Sequence, residues 1–167
     1  GAGRCRVRAG KPRHLQEAAA AITAAGGFGI AVPCDHTDDE QVSALFHQVQ
    51  ATHGRLDILV NNATTLPRSL TRPGPFWRKP TALAGVLEVG LRSHYIATHA
   101  AAPLLVETGG GLVVMTSSYG ARCYMHGPAY GAGKAGVDKM AMDMAVDLRP
   151  FDVAAVSLWL GFVRTEK

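Results

Sequence analysis

The residues best suited to chemistry are a tyrosine and a lysine four positions apart, in the stretch Tyr130-Gly131-Ala132-Gly133-Lys134. On a helix this spacing places both side chains on one face, about one turn apart. A nearby ammonium group favours the ionised form of a phenol, which can then exchange a proton with a substrate oxygen near neutral pH. The pair therefore predicts acid–base chemistry at Tyr130, assisted by Lys134.

A hydroxyl group that holds the substrate oxygen would complete such a site. Ser117 and Ser118 follow an apolar run of strand type and precede Tyr130 in the chain. We expect Ser118 to fill this role, with Ser117 as the alternative. On its own, a tyrosine and a lysine at this spacing are more often a solvated surface pair. The serines, and polar residues that follow other predicted strands, make the chemical interpretation the better one.

These side chains need a scaffold, and strand-like apolar runs alternate with helical patterns along the chain. The strands are continuous apolar runs, which is typical of a parallel sheet covered by helices on both faces. We therefore predict one doubly wound α/β domain over residues 1–167. Four helices are predicted: one that begins at Pro12, one that begins at a capping box at Thr37–Glu40, and two that span Thr81–Glu107 and Ala129–Leu148. The predicted strands are Gly29–Val32, Leu56–Val60, Leu112–Thr116 and Val153–Trp159.

Ligands of such sheets bind outside the carboxyl ends of the strands. The residues that follow the predicted strands there are Asp35, Asn61-Asn62, Ser117-Ser118 and the segment Gly161–Thr165. We expect these groups to lie along one edge of the sheet. Taken singly, Asp35 is explained equally well as a turn residue at a helix entry, and the asparagines as a turn.

In combination, these motifs resemble the short-chain dehydrogenase/reductase family. They occur in that family's order: Asp35, Asn61-Asn62-Ala63, Thr116-Ser117-Ser118, Tyr130-x-x-x-Lys134 and Gly161-x-Val163-x-Thr165. The likeness covers nearly the whole chain from Pro12 onward, and the stretches 76–80, 89–95 and 156–159 are similar to one subgroup of the family. The resemblance implies a Rossmann-type fold and hydride transfer between a nicotinamide cofactor and a carbonyl or alcohol substrate.

The resemblance also implies a role for each residue. Tyr130 is the expected general acid/base, Ser118 orients the substrate oxygen, and Lys134 also binds the nicotinamide ribose. Ser117 stays open as the alternative to Ser118, because the loop to Tyr130 is one residue shorter than is commonest in the family. The remaining expected cofactor contacts are Asp35 to the adenine amino group, Asn62 and Ala63 along the cofactor cleft, with the asparagine also bracing the sheet, and Thr165 to the nicotinamide carboxamide.

By the same resemblance, the choice between NADP and NAD depends on the charge that follows the second strand. An acidic residue there binds the ribose hydroxyls of NAD, whereas basic residues accept the extra phosphate of NADP. The segment 8–13 contains Lys11 and Arg13 and has no acidic residue. We therefore expect NADP, with NAD as the alternative.

The sequence also departs from the family pattern. The glycine-rich turn that cradles the cofactor pyrophosphate has no counterpart beyond Gly1-Ala2-Gly3, so we expect a domain that is incomplete at both ends. The segment Arg4–Arg8 stands where a buried strand is expected, and because burying unpaired arginines is costly we expect no well-seated strand there. Gly90 stands where the family usually has a catalytic asparagine, and Leu160 replaces the usual proline.

The composition limits the other functions. Apolar residues make up 47% of the chain and charged residues 18%, as in globular proteins. No apolar stretch is long enough to cross a membrane, and the chain does not open with a secretion signal, so we expect a soluble, cytoplasmic protein without a membrane partner. The three cysteines do not have the spacing of a metal site, so we expect no bound metal. Much of the net charge of +4 lies in residues 4–14 and 68–79. Neither stretch has basic and aromatic residues interleaved as in a base-stacking surface, and no DNA-binding motif accompanies them, so we expect no nucleic-acid partner.

Two further functions compete with the oxidoreductase. The first is a catalytically inactive truncated fragment, or a non-catalytic subunit that works by oligomerising. The second is a basic nucleic-acid-binding module, which rests only on the arginine-rich stretches. The expected partners of the oxidoreductase are a small carbonyl or alcohol substrate and, by the family resemblance, further copies of the chain that pack through the two long helices.

Overall fold

The computed structural model describes residues 5–10 and 12–161, with side chains from residue 14 onward. Within these residues five strands alternate with helices, and all the strand pairings are parallel, so the predicted parallel α/β fold is confirmed. The strands are β1 (Cys5–Gly10), β2 (Phe28–Pro33), β3 (Ile58–Asn61), β4 (Gly111–Ser117) and β5 (Val153–Trp159); the α-helices are α1 (Pro12–Ala24), α2 (Asp39–His53), α3 (Gly85–Leu87), α4 (Ser93–Thr108) and α5 (Pro128–Leu148).

The strands form two sheets within the described part of the chain. β1 pairs with β2, and β3, β4 and β5 form a three-stranded sheet in that order. Because every strand of the second sheet is parallel, its carboxyl ends lie at one edge, where Asn61, Ser117 and Trp159 stand at or near the last positions. This edge carries the candidate site.

The strand β1 corrects an expectation about the arginine-rich start of the chain. Residues 5–10 pair with β2 in a continuous parallel register, from Cys5 opposite Phe28 to Gly10 opposite Pro33. The strand has one paired neighbour among the described residues, and ladder pairing uses only backbone groups. The backbone pairing with β2 is what the expectation from the sequence leaves out, because that expectation considers only the cost of burying arginine side chains.

The core lies on one face of the three-stranded sheet, where α4 and α5 pack against it. Val113 and Met115 of β4 are fully buried there, together with Leu105 of α4 and Val137 of α5. Alternate strand residues point the other way. On that opposite face Ile58 and Val60 are each 56% exposed, so β3 is not the wholly buried strand that its apolar sequence predicts. The described helices leave this face partly open.

The predicted long helix over Thr81–Glu107 is broken into pieces. A 3-10 turn at Thr81–Ala84 leads into α3, and a π-helical turn at Glu88–Arg92 separates α3 from α4. The apolar periodicity of this segment predicts a helix, but it does not distinguish a regular turn from a single turn with i→i+5 hydrogen bonds. None of the helices in residues 12–161 has the length and apolar character needed to cross a membrane.

The start of α2 also differs from the prediction. Its N-cap is Asp38 rather than Thr37, and the Asp38 side chain accepts hydrogen bonds from the backbone N–H groups of Glu40 and Gln41. Thr37 is instead engaged by Asp35, which accepts from both its backbone N–H and its hydroxyl. Asp35 competes for the threonine, and the cap moves one residue along the chain.

Candidate active site

The centre of the site is a contact between two hydroxyl groups. The Oγ of Ser118 lies 3.0 Å from the phenolic oxygen of Tyr130, and either group can be the donor. Ser118 directly follows β4 and caps the 3-10 turn Tyr119–Ala121, where its Oγ also accepts from the N–H of Gly120. Tyr130 stands in the first turn of α5. Strand end and helix start are thereby joined at the predicted pair.

Lys134 lies one turn further along α5 on the same side as Tyr130. It is only 8% exposed, its Nζ is 5.8 Å from the centroid of the Tyr130 ring, and it donates a 2.9 Å hydrogen bond to the carbonyl oxygen of Thr116. Burial lowers the pKa of Lys134, and the nearby carboxylate of Asp138 opposes that shift. The spacing therefore places both groups on one helix face, as predicted.

Ser117 faces away from this pair. It is buried, and its hydroxyl donates to the backbone carbonyl of Lys134 at 3.3 Å. Successive residues of a strand point to opposite faces, which is why Ser118 reaches Tyr130 and Ser117 does not. Between the two serines, the geometry therefore favours Ser118 as the partner of the phenol.

The two asparagines at the end of β3, Asn61 within the strand and Asn62 directly after it, have different roles from those expected. Asn61, not Asn62, braces the sheet: it is 5% exposed, and its Nδ2 donates to the Thr98 hydroxyl at 2.8 Å. The Thr98 hydroxyl in turn donates to the carbonyl oxygen of His94. Asn62 is exposed, and Ala63 is half-buried beside it. Asn61 takes the bracing role because β3 extends one residue beyond its apolar run and includes this asparagine.

His94 is a residue that the sequence reasoning missed. It is 1% exposed, and its Nε2 lies 2.9 Å from the carbonyl oxygen of Ala63, while no described residue bonds its Nδ1. Burial lowers the pKa of His94 to about 4, and the charges of Lys134 and His36 add to this shift. The ring is therefore neutral near pH 7, with Nε2–H donating to Ala63. A histidine on the apolar side of a helix is the one sequence signal for it.

The other predicted cofactor contacts are only partly described. Asp35 is exposed after β2, and its Oδ1 accepts from the backbone N–H and the hydroxyl of Thr37 at 2.9 and 2.8 Å. These bonds lower the pKa of Asp35. The arrangement is the turn that the simpler interpretation of Asp35 expects. Lys11 and Thr165 lie outside the described residues.

The end of β5 is fixed to α5 by a carboxylate. The indole Nε1 of Trp159 donates to both oxygens of Asp138, at 3.1 and 3.0 Å, and the hydroxyl of Ser157 donates to the same group. The Trp159 ring also packs against Tyr119, with 5.4 Å between centroids. These contacts hold the strand end beside the turn that carries Ser118.

Comparison with known protein families agrees with the fold and with the motifs described above. The sequence model described as short chain dehydrogenase matches residues 3–167. The chain is 43% identical over 145 residues to Dehydrogenase/reductase SDR family member 1 of Homo sapiens, which covers 84% of this chain and 46% of that protein. The mouse protein of the same name is 40% identical over 161 residues, or 92% of this chain and 51% of that protein. The chain thus spans about half the length of these relatives.

Solved structures give the same result at the level of the backbone. A metagenomic short-chain oxidoreductase in complex with NADP has a TM-score of 0.82 and 28% identity, with 93% of this chain and 70% of that chain covered. A short-chain dehydrogenase from Streptomyces avermitilis has a TM-score of 0.83 and 27% identity, with 98% and 60% covered.

Proposed function

Because this chain belongs to the short-chain dehydrogenase family, we propose that it transfers a hydride between a nicotinamide cofactor and a carbonyl or alcohol substrate, with Tyr130 as the general acid/base. The observation that carries the proposal is the 3.0 Å contact between the Ser118 and Tyr130 hydroxyls, with the buried Lys134 beside the tyrosine. Two hydroxyls at this distance can hold one substrate oxygen between them, with the geometry that general acid–base catalysis requires.

The residues act on the substrate oxygen. In the reducing direction, Ser118 donates a hydrogen bond to the carbonyl oxygen, and Tyr130 gives it a proton as it becomes a hydroxyl. The ammonium of Lys134 stabilises the negative charge left on the phenolate, and its bond to the Thr116 carbonyl keeps it in place. In the oxidising direction the same groups remove the proton.

The chemistry of these residues suits a nicotinamide cofactor. Lys134 combines a bond to Thr116 with remaining N–H donors, and together with the Tyr130 hydroxyl it matches the hydroxyls of a ribose. Asn62 and Ala63 stand at the neighbouring strand end, where ligands of parallel sheets bind. Asp35, at the end of β2, is the proposed partner of the adenine amino group, and Thr165 of the carboxamide. When bound, the cofactor supplies or accepts the hydride.

We propose NADP as the preferred cofactor. Lys11 provides a positive charge for its extra phosphate, and one similar structure is a complex with NADP. The proposal is tested by titrating the chain with NADPH and NADH and by following NADPH consumption with a panel of ketones. Tighter NADPH binding with ketone-dependent consumption is the expected result. A folded chain that binds neither cofactor would contradict the proposal.

A second candidate is a chain that associates without catalysis, and it is favoured by exposed apolar residues on α4 and α5. Tyr95 is 50% exposed, Met142 58% and Val146 61%. We propose that these helices pair two copies of the chain, whether or not the site is active. Analytical ultracentrifugation tests this, since Met142→Glu with Val146→Glu should shift an oligomer towards monomer. A wild-type chain that is monomeric at every concentration would remove the candidate.

A further inference from the structure

A cavity of about 270 Å³ lies beside Tyr130, between the loop segment 70–83 and the turn 126–129. The turn leads directly into Tyr130, whose ring packs against the buried cluster of Leu70, Leu83 and Val86. The cavity is therefore continuous with the walls that hold the proposed acid/base, on the side of the loop that follows β3.

Aromatic and aliphatic side chains make up most of the cavity lining. Phe76 is 60% exposed and Trp77 72%, and their rings pack edge to face with 5.5 Å between centroids. Large aromatic residues left this open next to a cavity are typical of surfaces that contact an apolar ligand or partner. Leu83 and Pro128 continue the apolar surface.

The polar groups of the cavity are few. The Nζ of Lys79 donates a 2.9 Å hydrogen bond to the carbonyl oxygen of Leu70, so its ammonium is held against the wall. Thr81 and His126 are the other polar side chains, and no acidic residue lines this cavity in the described part of the chain. The lining therefore suits a neutral molecule better than a cation.

His126 is held in an unusual position. Its φ of 61° lies in the left-handed region, which a non-glycine residue adopts at a cost, and its ring packs edge to face on Tyr130 at 5.1 Å. Strained backbone of this kind persists where the surroundings enforce it, commonly at binding sites. The turn thus places an imidazole between the cavity and the phenol.

We infer that this cavity binds the apolar part of a ring-bearing ketone or secondary alcohol, with Phe76 and Trp77 as its aromatic wall; the inference rests on the proposed oxidoreductase function. Small-molecule pockets generally measure about 300–1,000 Å³, and this one, at about 270 Å³, lies just below that range. One or two fused rings therefore suit it, with the carbonyl group directed towards Tyr130 and Ser118.

The test is ligand-observed NMR of the chain with 2-acetylnaphthalene, 2-naphthoate and butanone. Trp77→Ala and Phe76→Ala should each weaken 2-acetylnaphthalene binding about tenfold, as expected when an aromatic anchor is lost. Butanone should be unaffected, because it is too small to reach the wall. Phe151→Ala is the matched control, since that phenylalanine is also 50% exposed but precedes β5, at the opposite end of the sheet. Thermal unfolding checks that all variants stay folded.

Unchanged 2-acetylnaphthalene binding in both aromatic variants would overturn the inference, as would tighter binding of 2-naphthoate than of the ketone. Burial of Trp77 that depends on chain concentration, seen in its fluorescence, would assign the aromatic wall to a second copy of the chain and would also overturn it. Turnover is measured separately. If the aromatic variants weaken ketone binding but the chain consumes no NADPH, the assignment of the cavity stands and the oxidoreductase proposal is contradicted. If wild type and Trp77→Ala consume NADPH equally with the ketone, the oxidoreductase proposal stands and the assignment of the cavity is contradicted.

Discussion

The hydroxyls of Ser118 and Tyr130 lie 3.0 Å apart, whereas the hydroxyl of Ser117 points to the backbone of Lys134. Two adjacent serines are thus a built-in pair of test and control. Ser118→Ala should lower kcat/KM for ketone reduction by about 100-fold, in the range of a lost oxyanion donor. Ser117→Ala should leave turnover within a few-fold and mainly lower the unfolding temperature. Equal losses of turnover in the two variants would contradict the assignment.

Tyr130→Phe should lower kcat by about 100- to 10,000-fold, because it removes the proton that general acid–base catalysis transfers. The dissociation constant for NADPH, measured by fluorescence titration, should change little. Tyr124→Phe is a suitable control, since Tyr124 stands in the loop that precedes α5 and is 81% exposed. Turnover retained in Tyr130→Phe would mean that another group moves the proton.

The buried His94 predicts an acid-sensitive fold. Its pKa is about 4 in the folded chain against 6.5 for the free side chain. Between these values the unfolded chain binds a proton that the folded chain does not, so the free energy of unfolding falls as the pH falls from 6.5 to 4. The loss amounts to roughly 3 kcal/mol.

Urea unfolding at several pH values measures this dependence. His94→Gln should flatten it, because the amide can still donate to Ala63 but does not titrate in this range. The exposed His47 provides the control, and His47→Gln should keep the wild-type slope. An unchanged slope in His94→Gln would place the acid sensitivity elsewhere, for example at the partly buried His36.

Gly120 leaves the space that the Tyr130 ring occupies. A Cβ at this position would lie 2.6 Å from Cε1 of Tyr130, whereas a Cβ at Gly85 would meet nothing within 4 Å. Gly120→Ala should therefore lower turnover by displacing the phenol and cost about 1–3 kcal/mol of stability. Gly85→Ala should be neutral or slightly stabilising, because alanine favours a helix. Unfolding curves and kcat of the two variants check both statements.

The parts of the site that the sequence predicts are those set by local periodicity. Helical spacing is enough to bring Tyr130 and Lys134 to one face, and the apolar run before Ser117 and Ser118 locates a strand end. Periodicity does not say at which residue a strand stops. That single position decides which serine meets the phenol and which asparagine turns inward, so Asn61 rather than Asn62 braces the sheet.

Contacts between distant segments were beyond the sequence for a different reason. His94 meets Ala63 across 31 positions, and Trp159 meets Asp138 across 21. Neither pair has a spacing that marks it, because each depends on how helices lie on the finished sheet. The strand Cys5–Gly10 has a related cause: its sequence indicates the cost of burying arginines, whereas its pairing with β2 uses backbone groups.

The π-helical turn at Glu88–Arg92 affects where the surrounding helical segment can lose a residue without turning its buried side chains outward. Such a turn contains one residue more than a regular turn, and that residue is looped into the helix while the flanking residues keep their angular phase. Deleting one residue inside 88–92 should therefore restore a regular helix and leave Val86 and His94 on their buried sides. The same deletion within α4 would rotate everything beyond it by about 100°, one step of the helical wheel. Losing one residue should therefore be tolerated better in the π-helical turn than within α4.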